Sequence, residues 1–290
     1  MPRKRPLNNL ITTHSDIPVM RTIQLGQSKL RVSRLIYGSE PFNLKKGPDG
    51  ERKQGDKTPE QAAEILKEAL ELGVNVWDTS DDYGTHPHIR EALTRVIRSD
   101  VVIADKSNAL TEKDGWAALE YSKQSLGTDY VDIMFLHNVM HVAVDRTDST
   151  GQPFRSGTLK DRMGALGAWV EAKESGMVRA TALSTHNTKV LRQVLDVPEI
   201  DVVCTTLNIA GAVIEDGTLE EHLEAIRALK EDGRGVYVIK VLNAGRLRNS
   251  AADAVRWAYQ FHEIVDAWNI GMYDMNDVWS NLDMMEECLT

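Results

Sequence analysis

The chain lacks an uninterrupted apolar run near 18 residues, so no membrane span is expected. Cysteine is scarce. Cys204 and Cys288 lie far apart with no CxxC, which argues against a disulfide scaffold and a cysteine zinc site. That usage suits a reducing, cytoplasmic compartment. Positive charge is in deficit: 34 Lys and Arg face 43 Asp and Glu, a formal net charge of −9. A net-acidic chain binds nucleic acid only through a local basic face, so no nucleic-acid partner is expected. A secretory signal is also missing. Arg3, Lys4 and Arg5 open the chain, but Asn8, Asn9, Thr12, Thr13, His14, Ser15 and Asp16 follow instead of an apolar stretch. Residues 1–19 read as a surface extension, and 20–290 as the folded domain.

What is present is an ordinary globular mix over 290 residues, with 42% apolar and 27% charged residues. That length fits two ordinary domains or one α/β barrel. Residues 21–33 read as two short strands about Gly26-Gln27, a hairpin. Eight apolar, β-rich runs follow: Leu35–Tyr37, Val74–Trp77, Val101–Ile103, Val131–Leu136, Arg179–Leu183, Val202–Thr206, Gly235–Val241 and Ile264–Ile270. Helical stretches fill most gaps. Thr58-Pro-Glu-Gln61 opens one with an N-cap, a proline at the first position and a capping glutamine, and Gly73 ends it. Others span Thr111–Gly127, Asp161–Ser175, Thr188–Leu195, Leu219–Asp232, Ser250–His262 and Asp274–Glu287. A hairpin followed by eight strand–helix units predicts a single (β/α)8 TIM barrel. The alternative is a doubly wound sheet. Its first strand usually runs into a glycine-rich turn, whereas here Gly38-Ser-Glu-Pro-Phe-Asn43 is no GxGxxG.

Active sites of such barrels lie at the C-terminal strand ends. Polar groups collect there: Asp78 to Tyr83 after the second run, Asp105-Lys106-Ser107 after the third, His137-Asn138 after the fourth, Ser184 to Asn187 after the fifth, and Asn243 to Leu247 after the seventh. A free phenol has a pKa of about 10, and a nearby ammonium lowers it. Asp78 can hold Lys106 charged and aimed, Lys106 can tune Tyr83, and His137 can donate to a substrate oxygen. The set suits protonation of a carbonyl oxygen while hydride arrives from a cofactor.

At these residues the sequence resembles the aldo-keto reductase superfamily. Asp78 and Tyr83 carry the Asp-x-x-x-x-Tyr spacing, and Lys106 and His137 follow in order. Tyr237-Val-Ile-Lys-Val-Leu-Asn-Ala-Gly-Arg-Leu247 resembles strand 7 of bacterial members, and Ala254-Val-Arg-Trp-Ala258 the helix after it. The resemblance covers about residues 20–290. It implies Tyr83 as general acid in reduction and base in oxidation, Lys106 as the group depressing its pKa, Asp78 as the partner of Lys106, and His137 as the carbonyl-orienting group. It implies an extended NAD or NADP along the rim. Ser184 and Asn208 would hold the nicotinamide end, with Gly38 and Ser39 at the first strand. Lys240, Asn243, Gly245 and Leu247 would lie at the turn receiving the pyrophosphate, with Asp274 and Asn281 at the far end.

Several positions depart from the pattern. Thr185 and His186 separate Ser184 from Asn187, Cys204 stands where glutamine is usual, and Asp105 could compete with Asp78 for Lys106. Gly271-Met-Tyr-Asp-Met-Asn-Asp277 has Tyr273 and Asp274 where the family grips an adenosine 2′-phosphate. A carboxylate repels that phosphate and can bond a ribose diol, which favours NAD(H); Arg246 and Arg248 could replace the missing charge. The family's long C-terminal substrate loop is missing, so the pocket is expected to be open or completed by a second copy in a homo-oligomer.

Other residues have plainer readings. His86-Pro-His88 reads as a loop rather than a metal site, since its i, i+2 spacing lacks acidic partners. Asp81 and Asp82 read equally as pocket entrance or as a cap on the next helix, and Asp145–Gly157 equally as substrate loop or solvated insertion. Trp257, Trp268, Trp279 and the late methionines read as packing. No metal is expected. Three functions remain in view: an NAD(P)(H)-dependent oxidoreductase of an aldehyde, ketone or sugar; an enzyme with tightly held NAD doing redox-neutral sugar chemistry; and a non-catalytic nucleotide sensor. The complete tetrad counts against the last.

Overall fold

The computed structural model describes residues 20–46, 52–147 and 153–289; the extension expected over 1–19 lies outside them. The chain opens with β1 (Thr22–Gln24) and β2 (Arg31–Ser33), paired antiparallel with Ile23 opposite Val32. Leu25, Leu30 and Val32 are buried against side chains inside the barrel, so the hairpin plugs its lower end. Gly26 makes this possible. It sits at φ +50°, and a Cβ there would lie 2.1 Å from the Gly235 nitrogen.

The first barrel strand, β3 (Leu35–Gly38), runs into a ribbon of β4 (Leu44–Lys46) and β5 (Arg52–Gln54). Then come α1 (Pro59–Glu71), β6 (Val76–Asp78), α2 (His86–Leu93), β7 (Val102–Ser107), α3 (Glu112–Leu126) and β8 (Val131–Leu136). A second ribbon, β9 (Val144–Thr147) and β10 (Pro153–Ser156), precedes α4 (Met163–Glu174). The chain continues with β11 (Val178–Thr185), α5 (Thr188–Val194), β12 (Val202–Thr206), α6 (Leu219–Glu231), β13 (Gly235–Ile239), α7 (Ala251–Tyr259), β14 (Ala267–Gly271) and α8 (Met275–Leu289). The barrel closes in the order β11-β12-β13-β14-β3-β6-β7-β8, with parallel pairing throughout.

Local chemistry sets the helix ends. Thr58 and Gln61, Thr111 and Asp114, and Thr218 and Glu221 form reciprocal capping boxes on α1, α3 and α6. Gly127, left-handed at φ 68°, closes α3. The strands alternate: Ile36, Ile133, Phe135 and Tyr237 fill the barrel, while Tyr37, Trp77, Ile103 and Met134 face the helix layer.

Two sequence expectations change. His86-Pro-His88 is the first turn of α2, not a loop, with Pro87 in the opening positions where proline is favoured. The seventh run ends at Ile239, because Lys240 turns to φ +61°. Cys204 and Cys288 are both free thiols.

Candidate active site

The C-terminal strand ends surround a cavity of about 880 Å³. Asp78, the last residue of β6, and Lys106 on β7 are buried and paired, Lys106 Nζ donating to Asp78 Oδ1. Nζ also donates to the Thr79 carbonyl at 2.7 Å. The second carboxylate oxygen of Asp78 accepts the Tyr237 hydroxyl at 2.6 Å from β13. Burial first, then Asp78, pushes the Tyr237 phenol well above its ordinary value, so it remains a donor.

Tyr83 lies on the turn after β6, shaped by its N–H donating to the Ser80 carbonyl (3.1 Å) and by the Asn43 amide donating to the Tyr83 carbonyl (2.9 Å). Its ring stands 5.3 Å from Lys106 Nζ and edge-on to His137, with centroids 5.8 Å apart. The net shift of the Tyr83 phenol is upward. Burial, then the carboxylates of Glu40, Asp78 and Asp82, hold the phenol well above its ordinary value.

His137 follows β8. Its Nδ1 lies 3.1 Å from Ser80 Oγ and 3.7 Å from Asp82 Oδ1. Burial, then Lys106, Arg162 and Lys240, drive its pKa well below the usual imidazole value, so the ring is neutral. Nε2 has no protein partner among the described residues. Under these groups the buried Arg162 donates to the carbonyls of His137 (2.6 Å), Ala109 (3.0 Å) and Ser107, tying the ends of β7 and β8 together.

Asp105 does not compete for Lys106. The strand alternation turns it outward, where His86 Nε2 meets Asp105 Oδ1 at 3.1 Å and His86 Nδ1 meets Ser125 Oγ at 2.6 Å. His86 therefore has an acidic partner after all, supplied by another strand. His88 Nε2 instead meets the Lys57 carbonyl at 2.9 Å. Asp82 lines the cavity, and neither Asp81 nor Asp82 caps α2, whose N-cap is Thr85. Burial, then Asp105, pushes the Asp81 carboxyl up to about 7. Asp81, Asp82 and His137 each place an atom within 4.8 Å of the others.

Of the expected cofactor residues, Gly38, Ser184, Lys240 and Gly245 line the cavity beside Asp78, Tyr83, Lys106 and His137. The others are set back. Ser39 donates to the Asp78 carbonyl (2.8 Å) and meets Thr85 (2.9 Å). The Asn208 amide is used within its own loop, on Ala212. Asn243 is buried at φ +47°, with Oδ1 lacking a hydrogen-bond partner. The Leu247 N–H donates to the Leu242 carbonyl. Asn281 bonds back to the Asp277 carbonyl. Asp274 accepts from the N–H groups of Asn276 (2.9 Å) and Asp277 (3.2 Å), a cap at the start of α8.

Tyr237, Ser80 and Asn108 were not singled out from the sequence, whereas Asn138 follows His137 at the end of the fourth run and Arg146 lies in the 145–157 segment read as substrate loop or insertion. Strand alternation within the seventh run could have flagged Tyr237 as inward. Ser80 lies within the Asp78 to Tyr83 stretch, where nothing local separates it from its neighbours.

The chain matches the model of the Aldo/keto reductase family over residues 34–279. It is 24% identical over 287 residues to the Bacillus subtilis oxidoreductase YqkF, covering 93% of this chain and 82% of that one. It is 26% identical over 234 residues to L-galactose dehydrogenase of Arabidopsis thaliana, covering 77% and 66%. The fold superposes on the holo form of a Bacillus halodurans aldo-keto reductase with a TM-score of 0.69 at 21% identity, over 92% of this chain and 91% of that one. The chain belongs to the aldo/keto reductase family of NAD(P)-dependent oxidoreductases.

Proposed function

We propose that the protein reduces the carbonyl of a small aldehyde, ketone or sugar, with Tyr83 as proton donor. The observation that carries this reading is the convergence of Tyr83, Lys106, Asp78 and His137, from three strand ends, on one cavity. The lining mixes polar groups, Asn108, Asn138, Arg146 and His186, with aliphatic ones, Val213, Ile239, Val241, Leu242 and Ile270. Tyr83 is its only Phe, Tyr or Trp among the described residues, so a small substrate with both polar and apolar parts fits it.

The residues present fit a nicotinamide cofactor. Lys240 and Arg248 bring positive charge to the β13 side of the cavity, and Asn243 Oδ1 is a buried polar atom lacking a hydrogen-bond partner. Lys240, Gly245 and Arg248 would hold its phosphates, and Gly38 and Ser184 would flank its redox end. When bound, it supplies the hydride.

The protein's own part follows from the geometry. Neutral His137, with Nδ1 engaged by Ser80, offers Nε2–H to the carbonyl oxygen. Tyr83, protonated because its pKa is high, passes its proton to that oxygen as negative charge develops. Lys106, aimed by Asp78 and Thr79, lends positive potential as the phenol gives up its proton.

The segment before α8 supports use of NAD(H) at least as readily as NADP(H). Burial first, then the charges of Asp277 and Asp274, raise the Tyr37 phenol, and the latter two mark negative potential there. The test of the reaction is consumption of NADH or NADPH with a panel of aldehydes and sugars. Tyr83→Phe should lose about 10²–10⁴-fold in kcat, with cofactor binding and fold retained. Near-full turnover by that variant would reject the mechanism.

A further inference from the structure

The β9–β10 ribbon leaves the barrel after β8, and its Arg146 returns to line the cavity. Arg146 pairs with Glu215, which lies between β12 and α6, so it stands on the β8–β12 side of the cavity. One terminal nitrogen of Arg146 meets Glu215 Oε1 at 3.2 Å. Glu215 is braced in turn by the Asn187 amide, which donates to Oε2 at 2.6 Å. The same Arg146 nitrogen touches Met140 Sδ, so the other two nitrogens have no partner among the described residues. The guanidinium is thus tethered through one terminal nitrogen, with the other two left for a ligand.

His186, after β11, lies between Arg146 and Lys240 around the rim. Burial, then Lys240 and Arg146, bring its pKa down to about 3, so it is neutral and can offer an N–H without charge. This arc of wall holds a fixed cation, a neutral donor and the Asn138 side chain, whose buried Oδ1 has no partner.

We propose that the substrate carries a carboxylate away from its reactive carbonyl, and that Arg146 receives it, assisted by His186. This rests on the carbonyl-reduction reading and names the substrate class for it. A guanidinium presents a planar fork that matches a carboxylate, and the tether to Glu215 lowers the ordering cost of presenting it. Glu215 and Asn187 act as positioning residues for Arg146.

The test uses matched acid and amide pairs, nearly equal in shape and different in charge: D-glucuronate against D-glucuronamide, and 4-carboxybenzaldehyde against 4-formylbenzamide. Turnover with reduced cofactor gives the acid-to-amide ratio of kcat/KM for the wild type and for Arg146→Gln. Binding of the same compounds to Tyr83→Phe loaded with cofactor, followed by nucleotide fluorescence, gives the ratio without turnover. The wild type should favour the acids by about tenfold or more in both measurements, and Arg146→Gln should bring the ratio to within about threefold of unity. Equal treatment of acid and amide by the wild type overturns the proposal and leaves Arg146 as a tie between the ribbon and the loop of Glu215. A preference that survives in Arg146→Gln overturns it too. In either case Tyr83-dependent reduction of the amides would leave the reductase reading intact. Discrimination in binding with no turnover of any pair would uphold the anion site and reject the reductase reading.

Discussion

Tyr237 donates its hydroxyl to Asp78 across the barrel, 159 residues away in sequence, at 2.6 Å. Asp78 thereby has one oxygen on Lys106 and the other on Tyr237, which stops its carboxylate from rotating. Tyr237→Phe should keep the fold and lower kcat about tenfold with little change in KM. The pH profile of kcat should shift as well, because Lys106 is then less firmly aimed. A variant with unchanged kcat and profile would make Tyr237 a packing residue only.

Ser80 is the one side chain hydrogen-bonded to His137 Nδ1 among the described residues, and its single hydroxyl proton goes either to Nδ1 or to the Lys106 carbonyl 3.2 Å away. If Ser80 donates to Nδ1, the proton of the neutral ring stays on Nε2, as the proposed mechanism requires. Ser80→Ala should raise KM and reduce kcat/KM about three- to thirtyfold, with Ser80→Thr recovering part of the loss. Steady-state kinetics on the preferred aldehyde decides this, and equal kcat/KM in Ser80→Ala removes the tautomer role.

Cofactor choice turns on the segment before α8. Asp274 is engaged in capping that helix, while Arg248 is exposed at the cavity edge. Titration of the apo protein with both oxidised cofactors at one ionic strength should give NAD+ binding at least equal to NADP+. Asp274→Arg should move the preference toward NADP+ by about one to two decades, since a charge-assisted contact is worth roughly 1.5–3 kcal/mol. A tenfold wild-type preference for NADP+ would assign the 2′-phosphate to Arg248.

His222 on α6 is buried between Thr188 Oγ1 (2.8 Å) and Thr205 Oγ1 (3.0 Å). Burial lowers its pKa from 6.5 to about 4. Folded protein therefore binds this proton more weakly than unfolded protein, and the histidine's stabilising contribution is complete above the unfolded value. It is lost as pH falls from 6.5 through about 4, reaching about 3 kcal/mol. Asp81, raised from 3.8 to about 7, acts in the opposite sense over much of that window. The difference between variants isolates the histidine. In urea melts, His222→Gln should be less stable than wild type at pH 7, with the gap closing toward pH 4. A gap constant with pH would refute the assignment.

The sequence by itself determined the architecture. Hydrophobic runs of strand length, separated by capped helices such as those opening at Thr58 and Thr111, have few ways to bury themselves other than a closed parallel barrel. The four residues expected as a tetrad line one cavity, and each lies at or within five residues of a strand end, so the order of elements is enough to bring them near one another. Helix α2 was hidden, since eight residues opening His-Pro-His show too little periodicity to declare a helix. Only the tertiary structure decided which way side chains on one strand point and what meets them. Asp105 and Lys106 are neighbours, yet the pleat sends one outward to His86 and the other inward to Asp78. Tyr237, Ser80 and Arg146 belong to the site through contacts over 57 to 159 residues, which no local pattern encodes. The direction of the Tyr83 shift was decided in the same way. Lys106 was visible in the sequence, but the burial and the surrounding carboxylates that outweigh it exist only when the barrel is closed.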